Sequence, residues 1–201
     1  MNNLNNKTTL CFIRHGETDW NKQKLIQGTL NNPLNDTGRN QALNTAHLLK
    51  DINVSFDVLM TSPLSRAYET MEIIRDKIFP NKEIIINPDV IEREFGDLEG
   101  KPVCKESYDL MFKEEVNNLE KLADLKNRAF NAILNIAHNY PNKNILITSH
   151  SQFIKGALLS IDNSFDFTFA VKNSSLNFIE IENDIPRIIK YNIASIDDYK
   201  K

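Results

Sequence analysis

Four consecutive apolar residues, Leu10-Cys11-Phe12-Ile13, run without a break into Arg14-His15-Gly16. A run with no polar alternation reads as a strand buried on both faces. Ending such a strand in a cation and an imidazole is unusual, because both groups are costly to bury unless something anionic pairs with them. Gly16 lacks a side chain and lets backbone come close to a ligand. This stretch asks for a layered sheet with a polar site at the end of the strand.

The rest of the chain supplies the layers. Residues 17–35 read as a polar loop punctuated by Gly28 and Pro33, then a helix from about Asp36 with Asn35 as its N-cap. Val58-Leu59-Met60 is a second short strand. Ser62-Pro63 has the form of a helix start, a side-chain cap followed by a residue whose missing N–H costs nothing there. Leu64, Ala67, Met71, Ile74 and Ile78 follow it at helical spacing. Ile84-Ile85-Ile86 is a third strand, and residues 90–100 form a glycine-containing loop. A short helix within 105–118 and a long one over about 120–139 lead to a fourth buried strand, Ile145-Leu146-Ile147, which runs into Thr148-Ser149-His150. A helix over 152–159 and two strands near 176–181 and 187–192 complete the pattern. Strands alternating with helices imply an α/β three-layer sandwich, a mostly parallel central sheet flanked by helices on both faces. Ligands of such sheets bind at the carboxyl ends of the strands. His15, Arg66, Glu92 and His150 follow the first four strands in turn, so all of them land on that edge.

Two arginines (Arg14, Arg66), two histidines and nearby helix N-termini attract an anion and suit a phosphate. A carboxylate there is repelled unless it is protonated, so Glu92 is expected to have a raised pKa and to act as a general acid. Glu94 and Glu99 are its neighbouring competitors. His15 is the candidate nucleophile, attacking phosphorus through one neutral nitrogen while the other donates to a backbone carbonyl that the sequence does not identify. The cations Arg14 and Arg66, with His150, supply the charge, so neither metal nor cofactor is called for, and no metal-ligand spacing occurs. A net charge of −3 and a pI near 5.8 give no reason to expect a nucleic-acid or membrane partner. Two cysteines, Cys11 and Cys104, are no disulfide framework, and residues 1–9 lack an apolar signal-peptide core. A reducing, cytoplasmic setting is expected.

Four motifs carry a family resemblance. Ile13-Arg14-His15-Gly16-Glu17-Thr18 with Asn21, Gln27-Gly28 and Pro33-Leu34 resembles the first signature of the histidine phosphatase (phosphoglycerate mutase-like) family. The segments Thr61 to Ala67, Glu92 to Gly100 and Ser149-His150 resemble the second, third and last, in the family's order. The resemblance implies a phosphohistidine on His15, Glu92 as proton donor to the leaving oxygen and then as base for water, and a phosphoryl group held by Arg14, Arg66 and His150. Asn21, Gln27, Gly28 and Ser151 are the further candidate phosphate-binding residues. It also implies one histidine phosphatase domain over 1–201 with a small lid at about 100–120. The expected activity is metal-independent hydrolysis of a small phosphorylated metabolite by a monomer or homodimer. A phosphoglycerate mutase using the same phosphohistidine and a phosphate-recognition module without catalysis are the alternatives. Ser151-Gln152 and Lys155 depart from the family's usual glycine and arginine, and Leu119 and Lys121 flank Glu120 where glycine and serine are usual.

Overall fold

The computed structural model describes residues 7–200. The reading of the first residues as no signal peptide therefore falls mostly outside the described range. Six strands form one sheet: β1 (Lys7–Arg14), β2 (Val58–Thr61), β3 (Ile84–Ile86), β4 (Asn144–Ser149), β5 (Leu176–Glu182) and β6 (Ile185–Ile193). They lie in the order β3-β2-β4-β1-β5-β6, with the first four parallel and β5 and β6 added antiparallel at the β1 side. Among the described residues seven α-helices accompany the sheet: α1 (Asp19–Lys22), α2 (Asp36–Asp51), α3 (Ser65–Ile78), α4 (Lys105–Lys113), α5 (Leu122–Asn139), α6 (Ser151–Ile161) and α7 (Ile196–Lys200). The architecture is the expected three-layer α/β sandwich.

The unbroken apolar run of β1 has a direct cause. Leu10 and Phe12 pack on one face with Ile145 and Ile147, against Ile133 and Ile136 of α5 and Phe153 and Leu158 of α6. Cys11 and Ile13 pack on the opposite face with Leu59 and Leu146, against Leu49 of α2 and Met71 and Ile74 of α3. Both faces are covered, so every position of β1 from Leu10 to Ile13 is apolar and fully buried. Each such side chain contributes about 1.5–3 kcal/mol of burial. At the sheet margin the alternation returns: Ile185, Arg187, Ile189 and Tyr191 of β6 are exposed, and their neighbours are partly covered.

Helix boundaries show where local rules hold and where they yield. Asn35 caps α2 as expected, its side-chain oxygen accepting from Gly38 N at 2.9 Å. Ser62 does not cap α3. That helix begins at Ser65 with Leu64 at the cap position and no side-chain cap, because the Ser62 hydroxyl is held by His150 at 2.7 Å.

Gly16 and Gly38 hold the loop after β1 against α2. A Cβ on Gly38 would lie 2.1 Å from Glu17 O, and one on Gly16 would lie 2.4 Å from Gly38 O. Ala for Gly inside a helix ordinarily stabilises by up to about 1 kcal/mol. Here the sign reverses, because the obstacle is backbone: Gly38→Ala is expected to destabilise by about 1–3 kcal/mol. Its urea midpoint should fall at unchanged m-value, and activity should fall with it, since the displaced backbone carries His15.

Candidate active site

Strand register assembles the site. Arg14 pairs with Ser149, so His15 and His150 leave the sheet side by side, their ring centroids 5.2 Å apart. Thr61 pairs with Thr148, which places Ser62 beside them. Arg66 lies in the first turn of α3, and Glu92 follows β3 and meets the start of α6. Four connections thus converge on one edge, as the order of elements predicts.

His15 is 2% exposed, and its Nδ1 lies 2.7 Å from Gly16 O. A carbonyl oxygen only accepts, so Nδ1 carries the ring proton and Nε2 holds the lone pair. Arg66 Nε–H donates to Nε2 at 3.2 Å, an arrangement that a doubly protonated ring could not accept. Burial first, then the charges of Arg66 and Arg14, hold the imidazole well below its ordinary pKa, so the ring stays neutral. The carbonyl left open by the sequence is that of Gly16.

Arg66 is itself fixed by two carbonyls, Nη1 donating to Leu30 O and Nη2 to Gly28 O, both at 2.7 Å. Burial lowers its pKa to about 10, which leaves it cationic at neutral pH. Gly28 takes a left-handed conformation at φ +52°, with Glu99 Oε1 where a side chain would go. Its place is to turn a carbonyl to Arg66. Arg14 Nη1 donates to Val171 O at 2.6 Å, whereas its buried Nε has no protein partner.

His150 is fully buried beside His15. The Ser62 hydroxyl accepts weakly from Leu64 N at 3.4 Å, and its one acceptor among the described residues is His150 Nε2. The proton of the neutral His150 ring therefore sits on Nδ1, a buried donor with no protein partner. Asn21 Oδ1 accepts from Thr18 N at 3.2 Å and from Asn173 Nδ2, and Gln27 Oε1 accepts from Thr18 Oγ1 at 2.9 Å. The oxygens of both amides are thereby occupied, and their NH2 groups take no partner among the described residues. Ser151 lines the same cavity from the first turn of α6.

Glu92 is 7% exposed. Its Oε1 accepts from the backbone N–H groups of Arg93 (2.9 Å), Gln152 (3.1 Å) and Phe153 (3.1 Å). These bonds and the arginine charges favour the carboxylate, but burial outweighs them and raises the pKa. Oε1 takes the three shorter bonds and Oε2 only the longer branch of the Gln152 N–H, at 3.4 Å, so Oε2 is the oxygen better placed to carry a proton. The competitors have other positions: Glu99 holds Thr29 N and Phe95 N, and Glu94 is exposed.

Several contributors have no clear signal in the sequence. Asn173 donates to His15 O at 2.9 Å from 158 residues away. Thr70 Oγ1 accepts from Gly16 N at 3.0 Å. Arg128 forms a two-bond pair with Glu120 (2.8 and 2.9 Å), and it also donates to Asp89 O and Ile91 O at 3.0 and 3.1 Å. That clamp fixes the segment bearing Glu92.

All these groups except the buried His150 and the outer supports border one cavity of about 540 Å³, roofed in part by Ser107, Tyr108 and Met111 of α4. Among the described residues no cluster of three or more His, Cys, Asp or Glu could hold a metal ion, and no helix is long and apolar enough to cross a membrane.

A model of the histidine phosphatase superfamily (branch 1) matches residues 10–194, nearly the whole chain. The chain belongs to that superfamily. Among its relatives is the uncharacterized phosphatase PhoE of Bacillus subtilis (strain 168), 38% identical, the alignment covering 94% of this chain and 96% of PhoE. Phosphoserine phosphatase 1 of Hydrogenobacter thermophilus is 31% identical, with 92% of each chain covered. The solved phosphoserine phosphatase mutant of Entamoeba histolytica, in complex with phosphoserine, superposes with a TM-score of 0.78 at 26% identity, covering 93% of this chain and 98% of that one. As a histidine phosphatase superfamily member with phosphatase relatives over its full matched length, this chain is an enzyme of the phosphatase and phosphoglycerate mutase group.

Proposed function

We propose that this histidine phosphatase hydrolyses a small phosphate monoester through a phosphohistidine on His15, without a metal. The observation that carries the reading is the tautomer: Nδ1–H is engaged by Gly16 O, so the Nε2 lone pair stands beside the guanidinium of Arg66. An incoming phosphoryl group would take over the Arg66 Nε–H and meet the unpartnered donors of Arg14 Nε and His150 Nδ1. Those groups stabilise the charge that develops on the equatorial oxygens. As Nε2 bonds to phosphorus, the P–O bond to the alcohol breaks and Glu92 Oε2 supplies its proton. Glu92, now ionised, takes a proton from water as water attacks the phosphohistidine, and inorganic phosphate leaves. Asn21, Gln27 and Ser151 are assigned to the rim of the phosphate site, and Gly28 acts through Arg66. We read residues 1–201 as one domain in which the 100–120 segment, with α4, serves as a small lid.

The test is a panel of phosphorylated metabolites with phosphate release as readout, run with and without EDTA. Release is expected for some of them at a rate that EDTA leaves unchanged. Interconversion of 2- and 3-phosphoglycerate without net phosphate release would favour the mutase reading instead. No turnover and tight phosphate binding would leave only the recognition module. Vanadate, which adopts the geometry of five-coordinate phosphorus, is expected to inhibit.

A further inference from the structure

Glu99 has no part in the phosphoryl-transfer scheme. It does not border the cavity, and it takes part in no salt bridge among the described residues. Its Oε1 accepts instead from Thr29 N at 2.9 Å, from Phe95 N at 3.3 Å and from Thr29 Oγ1 at 3.4 Å. The same oxygen lies against Gly28, 1.8 Å from the place a Cβ would take there. A carboxylate that meets backbone N–H groups rather than a cation fixes the direction in which that backbone points.

The backbone it fixes is the one that holds Arg66. Gly28 O and Thr29 N belong to a single peptide group. Its carbonyl end accepts from Arg66 Nη2 at 2.7 Å, and its N–H end donates to Glu99 Oε1 at 2.9 Å. The peptide thus lies between a guanidinium and a carboxylate, with its dipole aligned to both charges. Turned over, it would set its carbonyl against the carboxylate and its N–H against the guanidinium. Glycine at position 28 leaves that rotation sterically open, so the outer partner has to prevent it. The second carbonyl that holds Arg66, that of Leu30, has its own tie to α3. Asn31 Oδ1 accepts from Ser65 N at 2.7 Å, and Ser65 Oγ donates to Asn32 O at 3.3 Å. On the Gly28 side the tie is Glu99. We infer that Glu99 is a positioning residue for the phosphate site, acting through the Gly28–Thr29 peptide to aim the Arg66 guanidinium. The role rests on the hydrolase reading above, in which Arg66 binds the transferring phosphoryl group.

Reach and charge can be varied separately to test it. Glu99→Gln keeps an oxygen at the same reach and loses the charge, whereas Glu99→Asp keeps the charge and withdraws it by one methylene. The probe is p-nitrophenyl phosphate, or the best substrate of the panel above where that is turned over faster. Glu99→Ala and Glu99→Asp are expected to lower kcat/KM by about ten- to hundredfold, the size of one hydrogen bond to a charged group. Glu99→Gln should lower it by less than about fivefold. Arg66→Ala removes the group that the peptide aims, so adding Glu99→Ala to it should cost less than about threefold more. Glu99→Asp takes the place of Glu99→Ala in that pair if the Ala variant does not fold. A further loss of about tenfold or more in the Arg66→Ala background would mean that Glu99 only holds the loop together, and would overturn the inference. A Glu99→Asp protein within about threefold of the wild type, or a Glu99→Gln protein as slow as Glu99→Asp, would overturn it as well. Failure of the wild type to release phosphate from the probe and from the whole panel would instead overturn the hydrolase reading, and the role of Glu99 with it.

Discussion

Replacing His15 with Ala is expected to lower kcat for phosphate release by about 10⁴–10⁶-fold, the range seen when a covalent nucleophile is removed. The loss should fall on kcat more than on binding. Arg66 is held by Leu30 O and Gly28 O and does not depend on His15 for its position. Arg14 is likewise held by Val171 O. The phosphate cradle therefore survives the truncation, and the variant should still bind phosphate monoesters. The cost in stability should be small beside the cost in rate, since the imidazole makes two hydrogen bonds, to Gly16 O and from Arg66. Full activity in a folded His15→Ala protein would mean that another group attacks phosphorus.

Glu92→Gln should separate substrates by their leaving groups. Glutamine can keep the oxygen that accepts from Arg93, Gln152 and Phe153, so the local backbone is expected to stay in place. What it removes is the proton on Oε2. For alkyl phosphates, whose alkoxide leaves poorly, the loss should be about 10²–10⁴-fold. For p-nitrophenyl phosphate, whose phenolate leaves without protonation, phosphorylation of His15 should be affected far less. The pH profile gives a second readout. Burial raises the Glu92 pKa above 4.5, so the acid form persists to higher pH than in an exposed glutamate and is lost as pH rises through the folded value. That ionisation forms the basic limb of kcat/KM for alkyl substrates, and the Gln variant should lack it. His15 is held well below 6.5, so the nucleophile remains neutral, and the acid limb lies below the ordinary imidazole range. Equal losses for alkyl and nitrophenyl substrates would remove Glu92 from the role of proton donor.

Much of this site could be read from the chain because parallel strands end on one edge. Once Leu10–Ile13, Val58–Met60, Ile84–Ile86 and Ile145–Ile147 are strands, the polar residues that follow them must meet. Arg14, His15, Arg66, Glu92 and His150 are all placed that way. Residues whose role depends on a distant partner were not legible. Ser62 satisfied the local rule for a helix cap, but its hydroxyl is taken by a histidine 88 positions away. Asn173 reaches the His15 carbonyl from the connection before β5, which carries no periodic signal. The one-turn helix α1 lies in a stretch whose polar composition reads as loop, although Thr18 and Asn21 cap one another reciprocally there. The antiparallel pairing of β6 with β5 follows from a hairpin turn at Asn183-Asp184, both at positive φ.

The central claim is a covalent phosphoryl group on one nitrogen of one imidazole. Rapid quenching of the enzyme during turnover of a ³²P-labelled substrate, with the quench split between acid and alkali and followed by peptide mapping, tests it most directly. The expected result is a label stable in alkali, lost in acid, located on the peptide containing His15 and absent from the His15→Ala protein. A label on another residue, or none under conditions where the alcohol is released in a burst, would contradict it.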